Sequence, residues 1–164
     1  MSDILCVYYS RTGHTKKAME EIAAQLGAET VELHDGVERG GWKGFLRCGL
    51  DSVRKSTQPL AHFETEKPLG DYRLVVLGTP IWAGRCASPM RTFLKRHGRE
   101  LGTVAYVTTR SSDGKFQEVY QQMDHFVPTG YVAAVSLRSD SVGYCFWQEE
   151  FLRKIRDLLA GEKH

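Results

Sequence analysis

Apolar and polar residues follow one another along this chain in blocks whose periods separate strands from helices. Ile4-Leu5-Cys6-Val7-Tyr8-Tyr9 is an unbroken apolar run, and such a run suits a strand covered on both faces, as in a parallel sheet. After a short polar loop, Ala18, Met19, Ile22, Ala23 and Leu26 recur at helical spacing, and Gly27 ends the stripe. Residues 29–33 alternate polar and apolar, which predicts a more exposed strand near a sheet edge. Residues 73–77 give a third strand that closes on Gly78-Thr79-Pro80. The next helix is predicted with Ser88 as N-cap and Pro89 at its first position. Met90, Phe93 and Leu94 form its stripe, and Lys95, Arg96 and His97 its last turn before Gly98. Residues 104–108 and 132–137 read as further strands, with a helix within 116–126 between them. A last helix carries Phe146, Phe151, Ile155, Leu158 and Leu159.

Strands that alternate with helices predict an α/β protein, a three-layer sandwich with a parallel sheet of five strands and right-handed crossovers. The 164 residues suit one domain spanning 1–164. Segment 36–56 departs from the alternation. Gly40-Gly41 precedes Trp42, Phe45, Leu46, Leu50 and Val53 at helical spacing, so a loop and a short amphipathic helix capping the sheet are expected there. Arg39, Lys43, Arg47, Arg54 and Lys55 give that helix a positive, solvated face.

Composition narrows the class. A hydrophobic fraction of 41% with 26% charged residues excludes a disordered chain, a collagen and a coiled coil. Lys and Arg number 22 against 20 Asp and Glu, a net charge of +2 that argues against a nucleic-acid partner. No stretch approaches the roughly 18 apolar residues of a membrane span. Met1-Ser2-Asp3 leads directly into the first apolar run, so no secretory signal is expected. Cys6, Cys48, Cys86 and Cys145 form no CxxC pair. Reduced, mostly buried thiols in a cytoplasmic protein, with no metal site, are the reading that follows.

In an open parallel sheet, ligands bind beyond the carboxyl ends of the strands, where strand order reverses. The first such loop is Ser10-Arg11-Thr12-Gly13-His14-Thr15. Its hydroxyls, a Gly that admits close backbone approach, and the start of a helix make an anion cradle. An ordinary Ser/Thr cap with a Gly turn remains the alternative. The loop is neither a Gly-rich nucleoside-triphosphate loop ending in Lys nor a Gly-x-Gly-x-x-Gly dinucleotide loop. Cys6 stands one residue too close to Arg11 for a cysteine phosphatase, and no acidic pair follows the first strand as a receiver domain requires.

Ser10-Arg11-Thr12-Gly13-His14-Thr15 resembles the phosphate-binding loop of flavodoxins, whose pattern is Ser/Thr-x-Thr-Gly-x-Thr. The resemblance implies a flavodoxin-like sandwich with strand order 2-1-3-4-5 and FMN as cofactor. Ser10, Thr12 and Thr15 would hold the phosphate with the amides of Gly13 and His14, and Arg11 would add charge. Gly78-Thr79-Pro80-Ile81-Trp82-Ala83-Gly84 stands where flavodoxin-like proteins line the isoalloxazine ring. Pro80, Ile81, Trp82, Ala83 and Gly84 are therefore expected at the cofactor, with Trp82 over the loop and stacked on the ring. Ser88 to Leu94 also resembles the helix that follows in that family. Residues 108–114 would close over the pyrimidine side through Thr109, Arg110, Ser111 and Ser112, an ordinary solvated loop being the alternative.

Three features depart from flavodoxins. Those proteins are strongly acidic, whereas this chain carries +2. Trp82-Ala83-Gly84 replaces the usual Trp-Gly-Asp, and Ala83 resists positive φ more than Gly does. Arg110 would set a positive charge near N1 and O2 of the flavin. One unit charge at ~4 Å is worth about 4 kcal/mol at an effective dielectric near 20, an upper-range figure for an open loop. A two-electron midpoint less negative than that of a low-potential flavodoxin is expected. The resemblance implies an FMN-binding redox protein working with a redox partner protein. An NAD(P)H-dependent FMN quinone reductase, using NAD(P)H plus a small acceptor such as a quinone, is the alternative. A flavin-free binding module on the same fold is the alternative from another class. The short 139–144 segment argues against a flavodoxin-like protoporphyrinogen oxidase. No catalytic side chain is assigned; His14 is read as a helix-start residue that contributes its backbone N–H.

Overall fold

The computed structural model describes residues 2–34, 60–111 and 117–161. The described chain runs β1 (Ile4–Tyr8), α1 (His14–Leu26), β2 (Glu29–Glu32), β3 (Leu74–Trp82), β4 (Arg85–Cys86), α2 (Ser88–His97), β5 (Val104–Thr109), α3 (Gln117–Asp124), β6 (Tyr131–Leu137) and α4 (Tyr144–Gly161). Sheet order is β2-β1-β3-β5-β6, with all neighbours on this path parallel and β4 antiparallel to β3. The five main strands therefore stand in the expected order, with β4 as a short addition.

Apolar runs become central strands because both faces of the sheet are covered. Cys6, Val76 and Val107 pack with Met19 and Ile22 of α1 and with Phe151 and Ile155 of α4. Leu5, Val7, Val75, Leu77 and Tyr106 pack on the other face with Met90 and Phe93 of α2 and Met123 of α3. Each such aliphatic side chain contributes roughly 1.5–3 kcal/mol on burial. Gly78 lets α1 lie this close to the sheet, since a Cβ there would meet the Cγ and Sδ of Met19 at 2.5 Å. Strand β2 alternates in burial and forms one edge, as its period predicts.

Strand β3 does not close at Pro80; it continues to Trp82. Gly78, Thr79 and Pro80 pair with Val107, Thr108 and Thr109 of β5. The Val75 N–H points to the β5 side, toward the Thr103 carbonyl, so the nitrogen of Pro80 faces the β1 side. There β1 has ended at Tyr8, opposite Gly78, and the absent proline N–H breaks no ladder. Ile81 and Trp82 then pair with Cys86 and Arg85. The turn residues Ala83 and Gly84 have φ of 50° and 74°, the twist that suits a tight hairpin.

Ser88 is not the N-cap of α2; Ala87 is, and Ser88 lies inside the helix, fully buried. The hydroxyl of Thr79 accepts the N–H of Ala87 itself at 2.9 Å, which ties the start of α2 to β3, while the helix has no side-chain N-cap bond. The buried face of α4 is Tyr144, Gln148, Phe151, Leu152 and Ile155. Phe146 and Leu158, expected on that stripe, are exposed, and Phe146 stands edge-on to Trp147 at 5.1 Å. Cys6 and Cys86 are buried as expected, but Cys145 is exposed. Cys48 and the predicted 36–56 helix lie outside the described residues. Among the described residues no helix is long and apolar enough to cross a membrane.

Candidate functional site

A cavity of about 500 Å³ opens beyond the carboxyl ends of β1, β3, β5 and β6. Three of its walls are the loops singled out in the sequence. The fourth is Ser139 and Asp140, between β6 and α4. Nothing in the composition of that short polar stretch marks it. The signal that finds it is topological, since it too follows the carboxyl end of a parallel strand.

The first wall brings Ser10, Arg11, Thr12, His14 and Thr15 to the cavity. Gly13 turns the chain into α1 with φ 98° and caps the helix without a side chain. Helical bonding starts with the Lys17 N–H to the Gly13 carbonyl at 2.9 Å. The earlier amides of α1 have no acceptor one turn back within the helix, and their dipoles favour an anion. The Gly13 N–H itself donates to the Ser10 hydroxyl at 3.0 Å. That contact uses an oxygen lone pair of Ser10 and leaves its hydrogen as a donor. Thr15 is buried, its hydroxyl 2.6 Å from that of Thr109. One hydrogen lies between the two oxygens, so the pair keeps a second to offer elsewhere.

The second wall is Pro80, Ile81, Trp82 and Ala83; neither Gly84 nor Gly13 lines the cavity. Trp82 does not lie over a loop. It ends β3 in the hairpin with β4, only 8% exposed, and packs edge-on against Tyr9 at 5.4 Å between ring centres. The ring borders the cavity but belongs to the core on the α2 side. Sequence alone suggested otherwise because the small residues around Trp82 hid the contact with Tyr9.

The third wall is Thr109, Arg110 and Ser111, while Ser112 lies outside the described residues. The Arg110 N–H donates to the Leu137 carbonyl at 3.0 Å. Its Nε donates to the Ser136 hydroxyl, also at 3.0 Å. Behind this loop the Tyr120 phenol meets the Thr108 hydroxyl at 3.3 Å. Burial pushes the Tyr120 pKa up, opposed in part by hydrogen bonds to Thr108 and Ser136 and by the Arg110 charge. At the fourth wall Asp140 pairs with Arg138 at 3.3 Å. The whole arrangement offers hydroxyl and amide donors at one end and a mixed apolar and cationic slot beside them. It suits a flat molecule carrying an anionic tail.

No protein-family model matches the chain. Among solved structures, the chain is similar to a flavoprotein in complex with FMN from Lactobacillus acidophilus NCFM. That match has a TM-score of 0.67 at 22% identity and covers 90% of this chain and 99% of the other. A flavodoxin, WrbA-like protein from Agrobacterium tumefaciens matches with a TM-score of 0.57 at 16% identity, over 100% of this chain and 99% of that one. Two-electron reduced Megasphaera elsdenii flavodoxin matches with a TM-score of 0.52 at 16% identity, over 92% and 98%. These likenesses show the fold, and the fold is flavodoxin-like.

Proposed function

We propose that this chain binds FMN without a covalent bond and acts as a flavin redox protein. The observation that carries the reading is the cavity itself. Hydroxyls and first-turn amides meet at the start of α1, and a slot of about 500 Å³ runs from there between the ends of β3 and β5. The donor set fits a phosphate bound without lysine, since Ser10, Thr12 and the α1 amides supply neutral donors. Pro80 to Ala83 and Thr109 to Ser111 would flank the ring system. When bound, FMN supplies reversible uptake of electrons; the chain supplies position, exclusion of water and local charge. The similar flavoprotein in complex with FMN supports this reading. Free thiols at Cys6, Cys86 and Cys145 support a reducing, cytoplasmic setting.

A second reading is favoured by the arginines at the cavity, Arg11 and Arg110. Cationic walls suit an anionic hydride donor, NAD(P)H, with a small acceptor such as a quinone, in place of a protein partner.

Titration of the apoprotein with FMN and with riboflavin tests the first reading. FMN is expected to bind with quenching of its fluorescence, and riboflavin, which lacks the phosphate, to bind far more weakly. Thr12→Val is expected to weaken FMN by about tenfold, as loss of a hydrogen bond to a charged group predicts, and to leave riboflavin unchanged. Equal, weak binding of both ligands would leave a flavin-free module as the better account. NADH or NADPH oxidation with a quinone, measured on the FMN-loaded protein, then separates reductase from carrier.

A further inference from the structure

We infer that Ser136 is a positioning residue that holds the Arg110 guanidinium at the cavity wall and so sets the charge a bound flavin meets. The inference rests on FMN being the ligand of that cavity.

Arginine on a loop has several rotatable bonds, and a guanidinium that wanders into water is screened. Arg110 is fixed at two points on the adjoining strand. Its backbone N–H donates to the Leu137 carbonyl at 3.0 Å, and its Nε donates to the Ser136 hydroxyl at 3.0 Å. Ser136 stands opposite Thr108 in the β5–β6 register, and Leu137 opposite Thr109. The seat is thus part of the sheet rather than of a neighbouring loop. The strand opposite is braced in turn, since the Tyr120 phenol meets the Thr108 hydroxyl at 3.3 Å. Arg110 meanwhile lines the cavity. A charge fixed in a partly buried wall acts more strongly on a ligand than one free to retreat. Reduction makes the flavin more negative, so a fixed cation favours the reduced form. Ser136 does not line the cavity, so its influence there runs through Arg110.

The experiment compares two-electron midpoint potentials of FMN bound to the wild-type protein, R110Q, S136A and S136T at one pH and ionic strength, with thermal unfolding of each apoprotein alongside. R110Q and S136A are both expected to lower the midpoint. For S136A the expected loss is about tenfold in the preference for reduced over oxidised FMN, or about 30 mV. S136T keeps a hydroxyl at the same place and is expected to retain the wild-type midpoint. A wild-type midpoint in S136A beside a shifted R110Q would overturn the inference. So would an S136T shift as large as that of S136A, or an unshifted R110Q. A lowered unfolding temperature in S136A with an unchanged midpoint shows a structural role only and also overturns it. Failure of the wild-type protein to bind FMN removes the proposed function itself, a result distinct from every one of these.

Discussion

Burial decides the chemistry of individual thiols here. Desolvation in β1 pushes Cys6 from its ordinary 9.0 up to about 12. Cys86 rises to about 11, again through desolvation, with the nearby Arg91 charge and hydrogen bond offsetting part of the rise. Cys145 is exposed near the start of α4. The thiolate is the nucleophile, so the buried pair stays inert at ordinary pH. Iodoacetamide at about pH 8 is expected to label Cys145 on the native protein and to reach Cys6 and Cys86 only after denaturation, as peptide mass mapping reads directly. Labelling of Cys6 at the pace of Cys145 would mean that β1 opens readily, contrary to its central place in the sheet. At this scale the sequence was most legible where chemistry is dense. Hydroxyls at 10, 12 and 15 beside a Gly mark a loop by residue type alone. Ser139 and Asp140 carry no such mark, and the burial of Trp82 depends on Tyr9, a partner far away in sequence.

Elements carry strain that single residues do not reveal. Among the described residues Ala83 is the non-glycine with positive φ, at 50°, because the two-residue turn between β3 and β4 needs that twist. A side chain in the left-handed region costs about 1–2 kcal/mol, part of which a glycine returns through its looser unfolded state. Ala83→Gly is therefore expected to gain about 0.5–1 kcal/mol, or about 2–3 °C in Tm, by thermal unfolding of the apoprotein. A fall in Tm would show that the turn holds no strain. Element types followed from periodicity: the unbroken run of β1, the spaced stripe of α1 and the alternation of β2 all stand where their patterns put them. Ends were less legible. The two-residue β4 has no pattern of its own, and α2 starts from Ala87, whose N–H is held by Thr79 on another element. The outer placement of Phe146 follows from the Tyr144–Gln148–Phe151 face winning the sheet.

For the molecule as a whole, several groups are kept protonated by the fold. Cys6 rises to about 12, Cys86 to about 11, and Tyr8 from 10.0 to about 12, burial being the first cause in each. Their folded values lie above the unfolded ones, so the folded chain binds more protons in the alkaline range. The stabilisation they carry is complete below about pH 9, and it drains away as pH climbs toward 11 or 12. Urea midpoints are expected to be flat from about pH 7 to 8.5 and to fall steadily above about pH 9. A midpoint that rises across that range would contradict the burial of these groups. Alternating strands and helices made the layered sandwich readable, and strand order came through the resemblance of the Ser10–Thr15 loop to that of flavodoxins, whereas the fourth cavity wall needed the assembled sheet. The contact between Thr15 and Thr109 joins positions 94 residues apart in the chain. It latches the opening turn of α1 to the tip of β5, two walls of the same cavity. A ligand that needs those two walls as they stand would cost the host little freedom on docking, and its affinity would then be tuned mainly through its rate of departure.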